Sequence, residues 1–199
     1  AKTISDAGGT VDFDARPDFD PAEAQNIFRT LLCSAMAARI PDADFAEMVK
    51  SASELSPEDQ SGGAQLLRIQ TISHHDHFTA HNKRMRLRWA WDAFFRDHDA
   101  LIAPIMATPA FEHDQSAMGK RKITIDGAER PYFEQLFWAG LAVCCYLPST
   151  IIPTGPNKDG LPIGIQIIGR QYGDLETIGL AKLLEAEGYA FTPPPGYAS

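Results

Sequence analysis

Three imidazoles recur at helical spacing in this chain: His74, His77 and His81 stand at i, i+3 and i+7, with His75 and Asp76 between the first two. On a helix that spacing sets all three along one face, where neutral imidazole nitrogens could take a transition metal; His77 and His81 alone have the i, i+4 separation of helical zinc sites. The Glu that would turn such a pair into a hydrolytic H-E-x-x-H centre is absent, since Phe78 follows His77. Solvated or interfacial histidine faces are the commoner use of such a pattern. Two other groups could serve as nucleophiles. Ser61-Gly62-Gly63 imitates a Gly-rich serine loop but lacks a second Ser and an upstream Lys in a matching context, which points to a turn before a helix. Cys144 and Cys145 stand side by side in an apolar, helix-like run, where thiols are commonly buried and inert. Neither G-x-S-x-G nor G-G-S-S-G occurs in the chain.

The composition narrows the setting for such chemistry. A chain of 199 residues, 44% hydrophobic, can bury a core and reads as one domain or a large piece of one. Its formal charge of -8 and pI near 5.2 argue against a nucleic-acid partner, which would need Lys and Arg gathered on one face. The single basic cluster, Lys83, Arg84, Arg86 and Arg88, spreads around more than one side of a helix and reads as a solvated or ion-paired surface. Cys33, Cys144 and Cys145 make an odd count without C-x-x-C spacing, which fits a reducing, cytoplasmic setting. No apolar run approaches the ~20 residues that span a bilayer, and the N-terminus lacks the regions of a signal peptide, so no membrane partner is expected.

The elements that must position these groups follow from pattern. Residues 1–7 read as the end of a helix stopped by Gly8 and Gly9, which suggests that a preceding segment belongs to the same fold. Residues 10–14 alternate like a strand. Asp20-Pro21 opens a helix, with Glu23 completing a capping-box spacing and Ile27/Phe28, Leu31/Leu32 and Ala35/Met36 recurring every four residues as its buried face. Phe45, Met48, Val49 and Ala52 mark a short second helix, residues 56–63 a polar loop, and a helical pattern then continues to about residue 98 with Leu87, Trp91, Phe94 and Phe95 as a core stripe. Residues 100–103 read as a buried strand, and Pro104 and Pro109 punctuate the loop after it. A hairpin is expected at 122–125 around Asp126-Gly127, then a helix with Phe133, Leu136, Phe137, Gly140 and Leu141, strands at 149–152 and 163–168, and a helix at 175–187. Helices alternating with short apolar strands imply an α/β fold, a mixed sheet covered by helices.

The block Gly160-Leu161-Pro162-Ile163-Gly164-Ile165-Gln166-Ile167-Ile168-Gly169-Arg170 resembles the closing strand of amidase-signature enzymes, G-L-P-x-G-x-Q-x-x-G. Two further pieces occur in the family's order. His98-Asp99-Ala100-Leu101-Ile102-Ala103-Pro104 resembles its strand F-D-x-L-L-x-P, and Ala139-Gly140-Leu141 through Pro148-Ser149-Thr150-Ile151-Ile152-Pro153-Thr154-Gly155 resembles its helix, turn and strand. The likeness covers roughly residues 85–187, and residues 1–80 match a variable, mostly helical region in general character. The chain departs from the family at Ile105 and Ala107, where Thr and Pro are common, and in a helix lengthened through Val143-Cys144-Cys145-Tyr146.

The resemblance implies the C-terminal part of an incomplete α/β/α amidase fold, in a protein that hydrolyses a carboxylic amide to acid and amine through an acyl-serine. A Ser nucleophile, a second Ser on a cis peptide bond and a Lys would lie upstream, so no catalytic residue is expected in this chain, and the chain alone is expected to be inactive. What it could supply is a pocket wall for a small-molecule amide: Met106 and Thr108 on the Pro-rich loop, and Tyr132, Gln135 and Trp138 on the following helix. No cofactor or metal is implied, and a homodimer is possible. Two rivals remain: a non-catalytic binding module using the histidine face for a metal or partner, and a transamidating subunit.

Overall fold

The structure, a computed structural model, describes residues 1–116, 120–194 and 196–197. Helix α1 (Lys2–Asp6) is stopped by Gly8, whose φ of +89° a side chain would resist. Thr3 Oγ1 lies 3.1 Å from the Tyr189 hydroxyl, which ties this helix to the far end of the chain. The strand expected at 10–14 does not form. Asp12 Oδ1 instead accepts the N–H groups of Asp14 (2.8 Å) and Ala15 (3.1 Å), closing a local turn that leaves Phe13 71% exposed.

Helix α2 (Pro21–Ala37) starts as its sequence requires: Pro21 occupies the first turn and Asp20 Oδ1 accepts the Ala22 N–H at 2.9 Å. Glu23 does not complete a capping box; it faces Lys83 across the helix pair at 3.5 Å. Its buried residues are Ala24, Ile27, Phe28, Leu31 and Ala37, whereas Ala35 and Met36 of the expected face are exposed. Helix α3 (Asp42–Ser53) buries no residue fully. The helical pattern read as one run to residue 98 is two helices, α4 (Gly62–Gln70) and α5 (His74–Phe94). They part where Thr71 Oγ1 bonds back to the Leu67 carbonyl (2.8 Å) and Ser73 caps the new helix at the Asp76 N–H (3.1 Å). Leu87, Trp91 and Phe94 of α5 are buried against Phe28 and Leu31, with Phe95 packed beside them, as the stripe predicts.

Three strands form the main sheet in the order β1-β5-β4, with β1 at Leu101–Pro104, β4 at Ser149–Pro156 and β5 at Pro162–Ile168. The α/β class holds, but every strand pair among the described residues is antiparallel, so the parallel part of a mixed sheet does not lie here. The reason is local: β4 and β5 are joined by a tight turn in which Asn157 and Leu161 bond across Gly160 (φ +81°), and such a turn permits only an antiparallel pair. Strand β1 lies at an edge; of its residues only Ala103 is buried, and Ile102 stays exposed. The hairpin β2 (Lys122–Ile125) and β3 (Ala128–Pro131) turns at Asp126 (φ 51°) and Gly127 (φ 77°), the left-handed pair that this dipeptide favours.

The central strand β5 is covered on both faces. Ile168 joins the core built by α2, α5 and α6 (Phe137–Cys145), whereas Ile167 and Ile165 face Ile152 and, from α7 (Asp174–Ala186), Leu180 and Leu184. Alternation along the strand thus separates two hydrophobic clusters, giving helix, sheet and helix layers. The helix expected from residue 133 onward begins as a 3-10 segment, Tyr132–Leu136, before α6 proper, and α6 ends at Tyr146 in a left-handed conformation (φ 61°). Gly140 lets α6 approach α2: a Cβ there would sit 2.6 Å from Phe28 Cδ1. Gly140→Ala is therefore expected to destabilise the fold by about 1–3 kcal/mol. An unchanged urea midpoint would remove the close packing of α2 on α6 as a constraint.

Candidate functional site

Gln166 is the polar centre of the sheet, 1% exposed in the middle of β5 and flanked in register by Ala103 of β1 and Ile151 of β4. An amide this deep must find partners, because an unbonded buried polar group loses its hydration without return. Its Nε2 donates to the carbonyls of Pro104 (2.9 Å) and Trp138 (2.8 Å), and its Oε1 accepts from Ser149 Oγ (3.0 Å). One side chain thereby fastens the end of β1, the start of α6 and the start of β4 to the central strand. The Pro-rich loop after β1 and the segment 132–138 are brought together by a single nitrogen.

The five residues expected to line a pocket all belong to these two segments. Gln135 is buried at 4% exposure; Met106, Thr108, Tyr132 and Trp138 are half-buried. Tyr132 meets the Phe111 ring edge-on at 6.1 Å, and the Arg121 guanidinium lies 5.8 Å from the Tyr132 ring centre. Thr108 Oγ1 is buried without a hydrogen-bond partner among the described residues. The two segments thus carry a set of aromatic and polar side chains. Two cavities lie elsewhere: a small apolar void of about 10 Å³ bounded by Phe28, Trp91 and Gly140, and an open cleft between α2 and α4.

The other candidate groups are occupied. His77 Nδ1 lies 3.0 Å from Ser34 Oγ, a distance at which a base could activate a serine. The Leu31 carbonyl, 3.2 Å from Ser34 Oγ, competes with the imidazole for the one hydroxyl proton. His81 Nδ1 bonds to Arg84, and Phe78 stacks on His81 at 5.6 Å and leans on His74 at 6.2 Å. The three histidines do not converge, and no group of three or more metal-ligating side chains could hold an ion among the described residues. Ser61 caps α4 by accepting the Ala64 N–H at 3.3 Å, the turn-before-helix role expected of it. Cys144 and Cys145 are buried at the end of α6. The hydrogen bond between the two thiols, together with burial, pushes Cys145 far above the ordinary thiol range and leaves it inert as a nucleophile at neutral pH. The same bond lowers Cys144, whose thiol is buried away from any substrate's approach.

Two features had no assigned role in the sequence. Gln166 stands inside the G-L-P-x-G-x-Q block, but a strand pattern reads only its position and not its three partners. Arg84 and Arg88, read as surface, both lie over the Tyr146 ring, at 4.5 and 5.5 Å from its centre. The left-handed turn at Tyr146 aims the ring at them, and nothing in helical periodicity signals that turn.

Comparison with known proteins places this geometry. The amidase family pattern matches residues 10–178, well over half of the chain. The chain belongs to the amidase family. It is 26% identical over 176 residues to a glutamyl-tRNA(Gln) amidotransferase subunit of Bartonella tribocorum, covering 86% of this chain and 34% of that protein. It is 28% identical over 119 residues to fatty acid amide hydrolase of Arabidopsis thaliana, covering 59% of this chain and 19% of that protein. Among solved structures, a bacterial aryl acylamidase of the amidase signature family superposes with a TM-score of 0.62 at 19% identity, over 97% of this chain and 41% of that one. A 6-aminohexanoate cyclic dimer hydrolase gives 0.63 at 17% identity, over 96% and 41%. These likenesses establish the fold. The chain spans about a third or less of the length of these curated relatives. No helix among the described residues is long and apolar enough to cross a membrane.

Within the amidase fold, the Gln166 clamp makes a specific demand. Gln166→Leu keeps the volume but removes the donor shared by the Pro104 and Trp138 carbonyls and the acceptor of the Ser149 hydroxyl, and the expected loss of stability is about 1–3 kcal/mol. Chemical denaturation measures it; a loss below ~1 kcal/mol would show that the carbonyls find other donors and that the clamp is dispensable.

Proposed function

We propose that this chain is the C-terminal part of an amide hydrolase and supplies a wall of the amide-binding pocket, while the acyl-serine chemistry is carried by residues outside these 199. The observation that carries the reading is the Gln166 clamp in a chain of the amidase family: it fastens together the two segments that hold Met106, Thr108, Tyr132, Gln135 and Trp138. A set of aromatic side chains with a few polar groups suits recognition of a small amide. Thr108 Oγ1 supplies a buried donor or acceptor with no protein partner among the described residues, as a substrate-facing hydroxyl would. Substrate selection and positioning are the work assigned to this part. Nucleophilic attack, proton transfer and oxyanion stabilisation require a Ser, a base and a set of backbone donors that the proposal places upstream.

The relatives named above act, by their names, on different amides, and one belongs to an amidotransferase. Transamidation onto an acylated tRNA finds little support in a chain of net charge -8. The binding-module alternative loses its main support, since His77 and His81 are bonded to Ser34 and Arg84.

Release of acid and amine from a panel of aliphatic and aryl amides, measured on this chain and on a version extended upstream through its gene, tests the reading. Activity is expected only in the extended protein, at least about 10⁶-fold over the uncatalysed reaction, and abolished by a serine-directed fluorophosphonate. Turnover by the 199-residue chain itself would overturn the division of labour.

A further inference from the structure

The cleft between α2 and α4 has an electrostatic character opposite to that of the chain. It is open, about 540 Å³, and its polar lining is Asn26, Arg29, Thr30, Gln60, Gln65 and Arg68. Its floor adds Pro57 and Ile69. Two guanidiniums therefore line a surface without a carboxylate in a protein whose formal net charge is -8. The ion pairs among the described residues use Lys2, Lys83, Lys122, Arg130 and Arg170, and neither cleft arginine.

Each arginine is held in place by neutral groups. Arg68 donates to the carbonyls of Asp59 (2.7 Å) and Ser56 (2.7 Å), which pins the loop before α4 against the helix. Arg29 donates to Gln65 Oε1 at 3.2 Å, and Gln65 Nε2 in turn donates to the Gln60 carbonyl at 2.9 Å. The nearest carboxylates are turned onto their own loop: Asp59 accepts the Ser61 N–H at 2.9 Å and Glu58 accepts from the Ser56 hydroxyl. Those bonds hold both carboxyls below the usual carboxylate range, so they remain ionised and engaged at neutral pH. The Arg68 charge is partly offset by the nearby Asp59 carboxylate, whose titration it lowers, whereas Arg29 is oriented by Gln65 with no carboxylate in contact.

From this arrangement we infer that the cleft binds a small organic carboxylate. A planar guanidinium offers paired N–H donors to a carboxylate, the amides of Asn26, Gln60 and Gln65 suit its other polar groups, and Ile69 with Pro57 gives a short aliphatic body an apolar seat. That last contact favours an organic acid over inorganic phosphate, which has no apolar part. None of these residues belongs to the proposed pocket wall, so the outcome of the amide assay leaves this inference untouched.

Amide-resonance NMR of the 199-residue chain, titrated with succinate at low ionic strength, tests it. Saturable shifts confined to α2, α4 and the loop between residues 56 and 61 are expected, with a Kd on the order of 1 mM, weakening several-fold as salt rises to ~0.15 M. Arg29→Gln is expected to weaken binding at least about tenfold, Arg29→Lys to recover part of it, and the exposed Arg86→Gln to leave it unchanged. Should Arg29→Gln fail to fold in a thermal melt, Asn26→Leu carries the same direction of change. The absence of saturable shifts, unaltered binding by the folded Arg29→Gln variant, or equal affinity for inorganic phosphate would each overturn the assignment.

Discussion

Everything in this fold that could face a substrate hangs on the need to satisfy one buried amide. Gln166 lies where the sheet is covered by α6, and its side chain is shut off from water. Its Nε2 must donate to carbonyls within its reach, and the end of β1 and the first turn of α6 each present one, a carbonyl having a second lone pair to offer. A hydrogen bond in such a place is worth little net when made and much when missing, because the groups left behind cannot reach solvent. The spacing between the Pro-rich loop and the 132–138 segment is consequently set by the reach of one amide.

Hydrophobic packing supplies the stiffness behind that clamp. Ile168, two residues along the same face, is fully buried in the cluster of α2, α5 and α6, and Ile167 is fully buried on the opposite face against the α7 cluster. The glycines flanking this strand serve the same end. A Cβ on Gly164 would come within 3.0 Å of the Ile152 carbonyl, and one on Gly169 within 2.5 Å of the Thr177 methyl. The recurrence of Gly on either side of the buried Ile and Gln residues thus has a steric reason: β4 lies close on one side and α7 on the other.

How far this was legible in the sequence depended on whether the deciding interaction was local. Asp20-Pro21 and Asp126-Gly127 set their own backbone, and both the helix start and the hairpin turn formed where expected. Local competition also explains two failures. Alternation at 10–14 lost to the short Asp12 side chain, and a helical period running past residue 70 lost to Thr71 and Ser73, whose hydroxyls bond nearby backbone. Glu23 had a choice between its own helix end and Lys83 on α5, and spacing cannot decide a contact across two helices. For the site, the five residues proposed as a pocket wall were named through the family resemblance. That a glutamine in the middle of an apolar strand joins their two segments depends on carbonyls from residues 62 and 28 positions earlier, which no local pattern encodes. The arginine-lined cleft had the same obstacle, since Arg29 and Arg68 come from separate helices.

The chemical silence of the remaining nucleophiles follows from the same accounting of protons. A serine needs a base able to take its hydrogen, yet a helix carbonyl competes for that of Ser34, and Ser61 Oγ is engaged as a helix cap. A thiol needs access and a stabilised thiolate, yet Cys145 is buried and raised by its bond with Cys144. Each group is satisfied by a structural partner, and satisfying buried polar groups is what makes a wall rigid. A pocket wall benefits from that rigidity, because fixed contacts orient a substrate without reorganising as it reacts. The one buried hydroxyl oxygen here without a partner among the described residues is Thr108 Oγ1, and it lies on the loop that Gln166 anchors at Pro104.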